Sequence, residues 1–252
     1  IITTAENWVQ REGFYPLFKS TELEEASKFN QTAYFIEVQA GDLGFIDRFK
    51  NVYINHSEAV FLLKTTVEDG IQAVRRFICT LKEQKLRVPV VLNGYFDFAD
   101  DERTLLRSST LLGTQIIDGL VDGIMISAPK SPPSFLNSVA FGILQSCGRR
   151  ITQTEYISCP SCGRTQFDLE ETTAKIRAKT QHLKGLKIGV MGCIVNGPGE
   201  MADANYGYVG SGKNVVNLYH RKEIVKRNVP SEYAVEELIK LIKSKGDWRE
   251  VN

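Results

Sequence analysis

Apolar and polar positions repeat with two different periods along residues 33–148. Short apolar, β-branched runs predict buried strands, and longer segments with apolar residues three and four positions apart predict helices. Strands are predicted at 33–38, 59–66, 88–96 and 122–129, and helices at 67–86, 101–120 and 131–148, the last with prolines in its first turn. Strand and helix in alternation imply parallel βα units. The predicted fold class is therefore α/β, with a TIM-barrel-like or partial-barrel domain over residues 1–150.

A second pattern begins near residues 149–154, where we place a domain boundary of low precision. Residues 169–183 predict a helix with early acids and later bases, and residues 186–192 predict a short buried strand. The stretch 206–229 alternates aromatic and β-branched residues across a Gly-Ser-Gly sequence, which favours one β-hairpin. Residues 231–246 predict a capped amphipathic helix. Residues 151–252 are therefore expected to form a smaller α+β domain.

Composition limits the classes of partner. The chain has 252 residues, 42% of them hydrophobic and 24% charged, with a formal net charge of +1. Such a balanced charge gives no field that would attract nucleic acid or an anionic membrane. No apolar run approaches the roughly 20 residues that cross a bilayer. We therefore expect neither a nucleic-acid partner nor a membrane partner, and the missing initiator Met suggests a piece of a longer protein.

Five cysteines, an odd number, suit a reducing compartment better than a disulfide framework. Cys79 and Cys147 lie in apolar helical patterns and are interpreted as core residues. Cys159 and Cys162 form a CxxC pair at the end of a further strand, into which the stretch GRRITQTEYISC leads, and Cys193 follows Cys162 after thirty intervening residues. All three lie where a predicted strand ends in a loop. Such loops bring ligands together without interrupting a strand ladder. Metal binding by these three thiols is the favoured interpretation.

The fourth ligand is less obvious. Zinc normally takes a further Cys or His, and no histidine has ligand-like spacing to the cysteines. Glu200, in the turn sequence NGPGE, supplies a carboxylate with six residues between it and Cys193. Three thiolates and one weaker oxygen ligand suit an iron–sulfur cluster with one exchangeable iron. A zinc-binding structural or interaction module is the alternative, and a thioredoxin-like redox protein is disfavoured because further candidate ligands follow the CxxC pair.

Two stretches, SCPSCGRTQFDL and IGVMGCIVNGPGEMADANYGYVG, resemble the GcpE/IspG family of 4-hydroxy-3-methylbut-2-enyl diphosphate synthases. The resemblance implies a [4Fe-4S] cluster held by Cys159, Cys162, Cys193 and Glu200, with Asn196 near the substrate. It implies reductive opening of 2-C-methyl-D-erythritol 2,4-cyclodiphosphate in isoprenoid biosynthesis, with electrons from ferredoxin or flavodoxin. The implied compartment is the bacterial cytoplasm or, alternatively, the plastid stroma.

The resemblance is strongest from about residue 154 to 245. Upstream, the stretches LLGTQIIDGLVDGIMISAP and SFLNSVAFGILQSCGRRITQTEY are similar to the middle domain of the family's three-domain members. Residues 1–150 are thus expected to act as a spacer, and residues 151–252 as the iron–sulfur domain. The family's N-terminal TIM barrel, which holds the substrate diphosphate, has no counterpart in this sequence. We therefore expect the chain alone to be inactive, and we assign Glu200 a hypothetical second role as a proton source.

Overall fold

The computed structural model describes residues 1–29, 32–52, 58–66, 70–195 and 197–250. It divides into two compact units, Ile1–Arg150 and Ile151–Asn252, hereafter unit 1 and unit 2. Each unit has its own sheet and its own hydrophobic core. Within the described residues, no helix is both long enough and apolar enough to span a membrane.

Unit 1 is built on a parallel sheet whose strands follow one another in chain order. The strands are β1 (Ile2–Thr4), β2 (Tyr15–Lys19), β3 (Tyr34–Gln39), β4 (Ala59–Thr65), β5 (Val90–Tyr95) and β6 (Gly123–Ser127). A short 3₁₀ turn (Ala5–Asn7) and the helices α1 (Leu23–Ser27), α2 (Gly44–Val52), α3 (Gly70–Glu83), α4 (Asp101–Ile117) and α5 (Pro133–Ser146) alternate with them. Sequential order in an all-parallel sheet is the winding of a (βα) barrel. The α/β partial-barrel prediction is confirmed.

The core of unit 1 lies between the sheet and its helices, because each strand and each helix buries its apolar face there. Phe61 on β4 packs edge-on against Phe49 of α2, with ring centroids 4.7 Å apart, and against Phe77 of α3 at 6.2 Å. Such T-shaped pairs place a ring edge against a ring face. Asp100 begins α4 by accepting a hydrogen bond from the Glu102 amide at 2.9 Å. The acidic run at 100–102 is therefore a helix start, as the sequence predicts.

The two cysteines of unit 1 do not share one environment. Cys147 is half-buried against the core, and its thiol approaches the Gly113 carbonyl oxygen at 3.6 Å. Cys79, in contrast, is exposed, so its assignment to the core was wrong. Helix α3 buries Val74, Phe77 and Ile78. Each residue advances about 100° around a helix, so the residue after Ile78 turns away from that apolar stripe.

Unit 2 has a mixed sheet in the order β11-β10-β9-β8-β7. Its elements are β7 (Glu155–Ser158), α6 (Leu169–Thr180), β8 (Lys187–Met191), α7 (Gly197–Glu200), β9 (Tyr206–Gly212), β10 (Val215–His220), β11 (Glu223–Pro230) and α8 (Ser231–Ser244). Strands β7, β8 and β9 are parallel, whereas β9, β10 and β11 pair in antiparallel fashion. The α+β prediction for this part is confirmed.

Three details of unit 2 differ from the sequence prediction. The Gly-Ser-Gly sequence lies within the end of β9, and the tight turn falls on Lys213 and Asn214, where Asn214 adopts a φ of 56°. A second turn at Arg221 adds β11, so one predicted hairpin is a three-stranded antiparallel ribbon. Helix α8 starts directly after Pro230 and has no side-chain cap, so the predicted capping of this helix was wrong.

The two faces of the unit 2 sheet carry separate apolar clusters. On one face, Ile188, Val190 and Leu218 pack with residues of α6 and α8. On the other face, Met191 and Val209 pack with Met201, which follows α7. Successive residues of a strand point to opposite faces, so β8 contributes to both clusters. The second cluster lies directly beneath the cysteine loops because Cys159 packs against it.

Candidate metal centre

Strand direction brings the cysteine-bearing loops to one edge of the unit 2 sheet. Strands β7 and β8 are parallel neighbours, and Ser158 pairs with Val190. Cys159 directly follows β7, and Cys193 lies two residues beyond β8. The carboxyl ends of parallel strands meet at the same edge, which is where α/β proteins commonly place their ligands. Two loops distant in sequence are therefore adjacent in space.

A single small pocket collects the four proposed ligands. Its volume is about 100 Å³. Its lining consists of Cys159, Pro160, Ser161, Cys162, Arg164, Met191, Cys193, Gly197 and Glu200. Pockets for organic ligands usually measure roughly 300–1,000 Å³, so this one suits a compact inorganic group better. The donor set that faces it is three thiols and one carboxylate.

The loop between the paired cysteines is held in a tight, internally bonded shape. Ser161 adopts a left-handed backbone conformation with a φ of 63°, which is uncommon for a residue with a side chain. The Cys162 amide donates to the Thr165 hydroxyl at 3.1 Å, and the Thr165 amide donates back to the Cys162 carbonyl oxygen at 2.9 Å. These reciprocal hydrogen bonds fix the backbone conformation of the loop at Cys162.

Two of the thiols accept hydrogen bonds from nearby donors. The Gly192 amide donates to the Cys159 sulfur at 3.3 Å. At Cys162, the Arg164 amide and then the Arg164 guanidinium donate to the sulfur, and together they lower the pKa of this exposed thiol. The same contact raises the pKa of Arg164. The thiolate is the form of cysteine that binds metal, so this environment favours the ligand form of Cys162.

Glycines allow the loop of Cys193 to lie against its neighbours. A Cβ added at Gly192 would lie 2.8 Å from the Thr165 hydroxyl oxygen, and one added at Gly210 would lie 2.3 Å from the Gly192 carbonyl oxygen. Neither distance accommodates a side-chain carbon. The Gln166 amide also donates to the Gly192 carbonyl oxygen at 3.0 Å. The CxxC loop, the Cys193 loop and the end of β9 are consequently packed backbone against backbone.

Glu200 lines the pocket from a short helical turn, whereas the cysteines lie in loops that follow strands. It is the last residue of α7, a helical turn of four residues, and it is exposed. The buried side of this turn is Gly197, and Met201 follows it into the cluster below the sheet. Asn196, the residue expected near the substrate, lies outside the described residues.

The donor set can be tested against the two metal groups that the sequence leaves open. A single zinc ion needs its ligands to converge on one point. Among the described residues, no group of three His, Cys, Asp or Glu side chains is arranged to hold one ion. In a [4Fe-4S] cluster, each ligand binds a different iron, so its ligands lie further apart around a larger core. The pocket brings together three cysteines and one glutamate, and thiolates with a carboxylate are a donor set that suits an iron–sulfur cluster.

A larger open cleft lies beside this pocket and shares Cys159 and Ser161 with it. Its volume is about 790 Å³, and its charged lining consists of Asp168, Glu170 and Arg177. Arg177 lies over the Tyr156 ring at 5.0 Å from the centroid. Two carboxylates and one guanidinium that is engaged with a ring do not form the Arg/Lys clamp that a diphosphate requires.

The three basic residues nearest the motifs in sequence separate in the fold. Arg164 lines the pocket, and Lys213 lies in the turn after β9, whose residue Asn214 donates to the Gln166 carbonyl oxygen at 3.3 Å. Arg221 lies at the opposite end of the sheet because its amide bonds to the Asn205 carbonyl oxygen just before β9. The contact of Arg164 with the thiols was not predicted, and only its position two residues after Cys162 hints at it.

The fold and site define an α/β protein whose smaller domain presents a thiol-rich pocket of the kind that holds metal clusters. Residues 155–244 match the model of the GcpE protein C-terminal domain. The chain is 44% identical over 98% of its length to 4-hydroxy-3-methylbut-2-en-1-yl diphosphate synthase (flavodoxin) of Parabacteroides distasonis, and covers 40% of that protein. Residues 155–244 of this chain belong to the GcpE C-terminal domain family.

Relatives in other lineages give the same result. The chain is 52% identical over 66% of its length to the flavodoxin-named synthase of Leptospira interrogans, and covers 25% of it. It is 46% identical over 71% of its length to the chloroplastic, ferredoxin-named synthase of Arabidopsis thaliana, and covers 24% of it. The chain thus spans less than half the length of the curated relatives that it matches.

Proposed function

We propose that unit 2 holds a [4Fe-4S] cluster through Cys159, Cys162, Cys193 and Glu200. The observation that carries this proposal is the single pocket of about 100 Å³ that these four side chains line together. The family membership supports it, because the relatives are named as synthases that use flavodoxin or ferredoxin. A one-electron donor requires an acceptor of matching chemistry, and a cluster is such an acceptor.

The reaction proposed for the complete protein is the reductive opening of 2-C-methyl-D-erythritol 2,4-cyclodiphosphate to 4-hydroxy-3-methylbut-2-enyl diphosphate. When bound, a cluster here supplies electrons and Lewis-acid polarisation of a carbon–oxygen bond. The residues of this chain position it: the Gly192 amide orients Cys159, and Arg164 orients Cys162. We assign the exposed carboxylate of Glu200 a hypothetical second role as a proton source. Asn196 is proposed as a substrate contact.

Substrate binding is assigned to a part of the complete protein that this chain does not supply. A cyclic diphosphate carries several negative charges, which call for several Arg or Lys side chains. Near the pocket, the described cations are Arg164, Lys213 and Arg177, and the cleft that Arg177 lines also carries Asp168 and Glu170. We therefore propose an N-terminal TIM barrel as the diphosphate-binding partner and unit 1 as a spacer. Flavodoxin or ferredoxin is the proposed donor, in a bacterial cytoplasm or, alternatively, a plastid stroma.

Anaerobic reconstitution with iron and sulfide tests the cluster itself. Purified wild-type chain is expected to gain a broad visible absorption and about four irons and four sulfides per chain. Cys193→Ser should lose this absorption, because it removes one of three thiols, whereas Cys79→Ser should keep it, because Cys79 lies in unit 1. Stoichiometric zinc without sulfide would establish the structural-module alternative, and equal loss in both variants would contradict the ligand assignment.

Turnover measurements test whether substrate binding requires a part of the protein that lies outside this chain. The reconstituted chain with dithionite and the cyclic diphosphate should show no product, because the described residues offer no Arg/Lys clamp that would hold the substrate within reach of the pocket. Addition of the barrel as a separate chain should restore partial activity at high concentration only, because the covalent link normally raises the effective concentration. Glu200→Ala should lower the restored activity. Robust turnover by the chain alone would refute the proposed location of the substrate site.

A further inference from the structure

Thr165 lies where the two cysteine-bearing loops meet. Its hydroxyl accepts a hydrogen bond from the Cys162 amide at 3.1 Å and shares a second hydrogen bond with the Ser161 hydroxyl, also at 3.1 Å. Its amide donates to the Cys162 carbonyl oxygen at 2.9 Å. On the other side, a Cβ added at Gly192 would lie 2.8 Å from the Thr165 hydroxyl oxygen and 2.9 Å from its methyl carbon. The half-buried side chain of Thr165 therefore lies between the CxxC loop and the residue that precedes Cys193.

We propose that Thr165 is a positioning residue that joins these two loops and thereby holds Cys162 in place for the proposed cluster. This inference rests on the proposed function of unit 2. Cys162 is exposed, and Ser161 before it has an uncommon left-handed backbone, so the position of this thiol depends on local hydrogen bonds. A ligand that is already ordered loses less conformational entropy when the metal group binds. Contacts that orient metal ligands therefore contribute to retention of the metal.

The other hydrogen bonds between these loops do not replace this contact. The Gly192 amide donates to the Cys159 sulfur at 3.3 Å, so it orients the first cysteine of the pair. The Gln166 amide donates to the Gly192 carbonyl oxygen at 3.0 Å, which joins the loops but does not involve Cys162. The Cys162 amide bonds to the Thr165 hydroxyl instead. Loss of that hydroxyl should therefore loosen Cys162 while the support of Cys159 remains.

The test compares the rate of iron release to an excess of chelator from anaerobically reconstituted variants. Thr165→Val keeps the size and branching of the side chain but removes the hydroxyl, so its release should be about fivefold faster than that of wild type, the effect of one lost hydrogen bond. Thr165→Ser retains the hydroxyl and should release iron at nearly the wild-type rate. Thr173→Val is the matched control, because Thr173 is also half-buried and its hydroxyl donates to the Leu169 carbonyl oxygen within α6 at 2.7 Å. Its release rate should equal that of wild type.

Iron and sulfide content of the wild-type protein, measured first, separates failure of this inference from failure of the proposed function. If wild-type protein takes up no cluster, the proposed function is wrong, and this inference falls with it. If wild type holds a cluster and Thr165→Val releases iron at the same rate, only the role of Thr165 is overturned. Equal acceleration in Thr165→Val and Thr173→Val would indicate a general loss of stability and would overturn that role as well. Faster release, or failed cluster assembly, in Thr165→Val alone, with recovery in Thr165→Ser, supports it.

Discussion

Replacement of Gly210 by alanine is expected to damage the candidate metal centre without touching any proposed ligand. The added Cβ would lie 2.3 Å from the Gly192 carbonyl oxygen, and the carbonyl carbon would be 3.0 Å away. A carbon–oxygen contact normally begins at about 3.3 Å, so the two backbones must separate by about 1 Å. Cys193 is the next residue after Gly192, so this displacement reaches the proposed ligand directly.

The energetic cost follows from the rigidity of both segments. Gly210 is paired within β9, and Gly192 is tied to the CxxC loop through the Gln166 amide and the Cys159 sulfur. Overpacking of this kind costs about 1–3 kcal/mol. With a urea dependence of about 2 kcal/mol per molar, a loss of about 2 kcal/mol lowers the unfolding midpoint of unit 2 by about 1 M.

Urea unfolding of unit 2 can be followed separately by tryptophan fluorescence, because the chain has two tryptophans, one in each unit. In a Trp8→Phe background, Trp248 is the sole reporter, and it packs against His182 with ring centroids 5.1 Å apart. Gly142→Ala, in unit 1, is the control, since nothing lies within 4 Å of its added carbon. Gly210→Ala should unfold at lower urea and bind less iron on reconstitution. An unchanged midpoint together with wild-type iron content would refute the reasoning.

Two further predictions concern thiol reactivity and acid stability. At pH 8, iodoacetamide should label Cys79 faster than Cys147, because Cys79 is exposed whereas burial raises the pKa of Cys147; peptide mass spectrometry measures the two rates, and equal rates would contradict the assigned environments. Hydrogen bonds from Lys226 and Lys240 lower the pKa of Glu237 to about 2, below its ordinary value of about 4.3. Its stabilising contribution is therefore present above about pH 4.3 and is lost as the pH falls towards 2. In urea titrations across this range, Glu237→Gln should lose less stability than wild type, and an identical pH profile would exclude the contribution.

The sequence predicts the elements whose apolar period is strong. Strands β3 to β6 and helices α3 to α5 were predicted because each combines a clear period with a clear stop, such as the acidic start of α4 at Asp100. Strands β1 and β2 were not predicted. The former has three residues and the latter carries Pro16, so neither gives a strand-like run of usual length.

The missed strand of unit 2 has a specific physical reason. The turn between β10 and β11 falls at Arg221, which adopts a φ of 55° although glycine and asparagine are the usual residues there. Strand β11 also lies at the sheet edge, its residues are mostly exposed, and three of its eight residues are charged. Neither the turn nor the strand therefore carries its usual sequence signal. Turn chemistry also explains why Lys213 and Asn214, not the glycines before them, reverse the chain.

The meeting of the cysteine loops was predictable from the sequence, but the contacts that support these loops were not. Cysteines at the ends of parallel strands must meet, so the grouping of Cys159 and Cys193 follows from topology alone. The amide of Gly192 and the guanidinium of Arg164 lie near sulfur because of the backbone conformation of the loops. The periodicity of apolar residues in the sequence does not predict that conformation. The close approach of Gly210 depends likewise on the register between β8 and β9.

The four proposed ligands differ in how many contacts fix their positions. Cys159 is half-buried on the end of a strand and accepts an amide hydrogen bond, and Cys162 sits in a loop closed by reciprocal bonds. Glu200 has neither advantage, since it ends an exposed turn of four residues next to Gly199. Ordering a flexible carboxylate costs conformational entropy that a pre-positioned thiol has already lost. The protein framework thus fixes Cys159 and Cys162 more firmly than it fixes the carboxylate of Glu200.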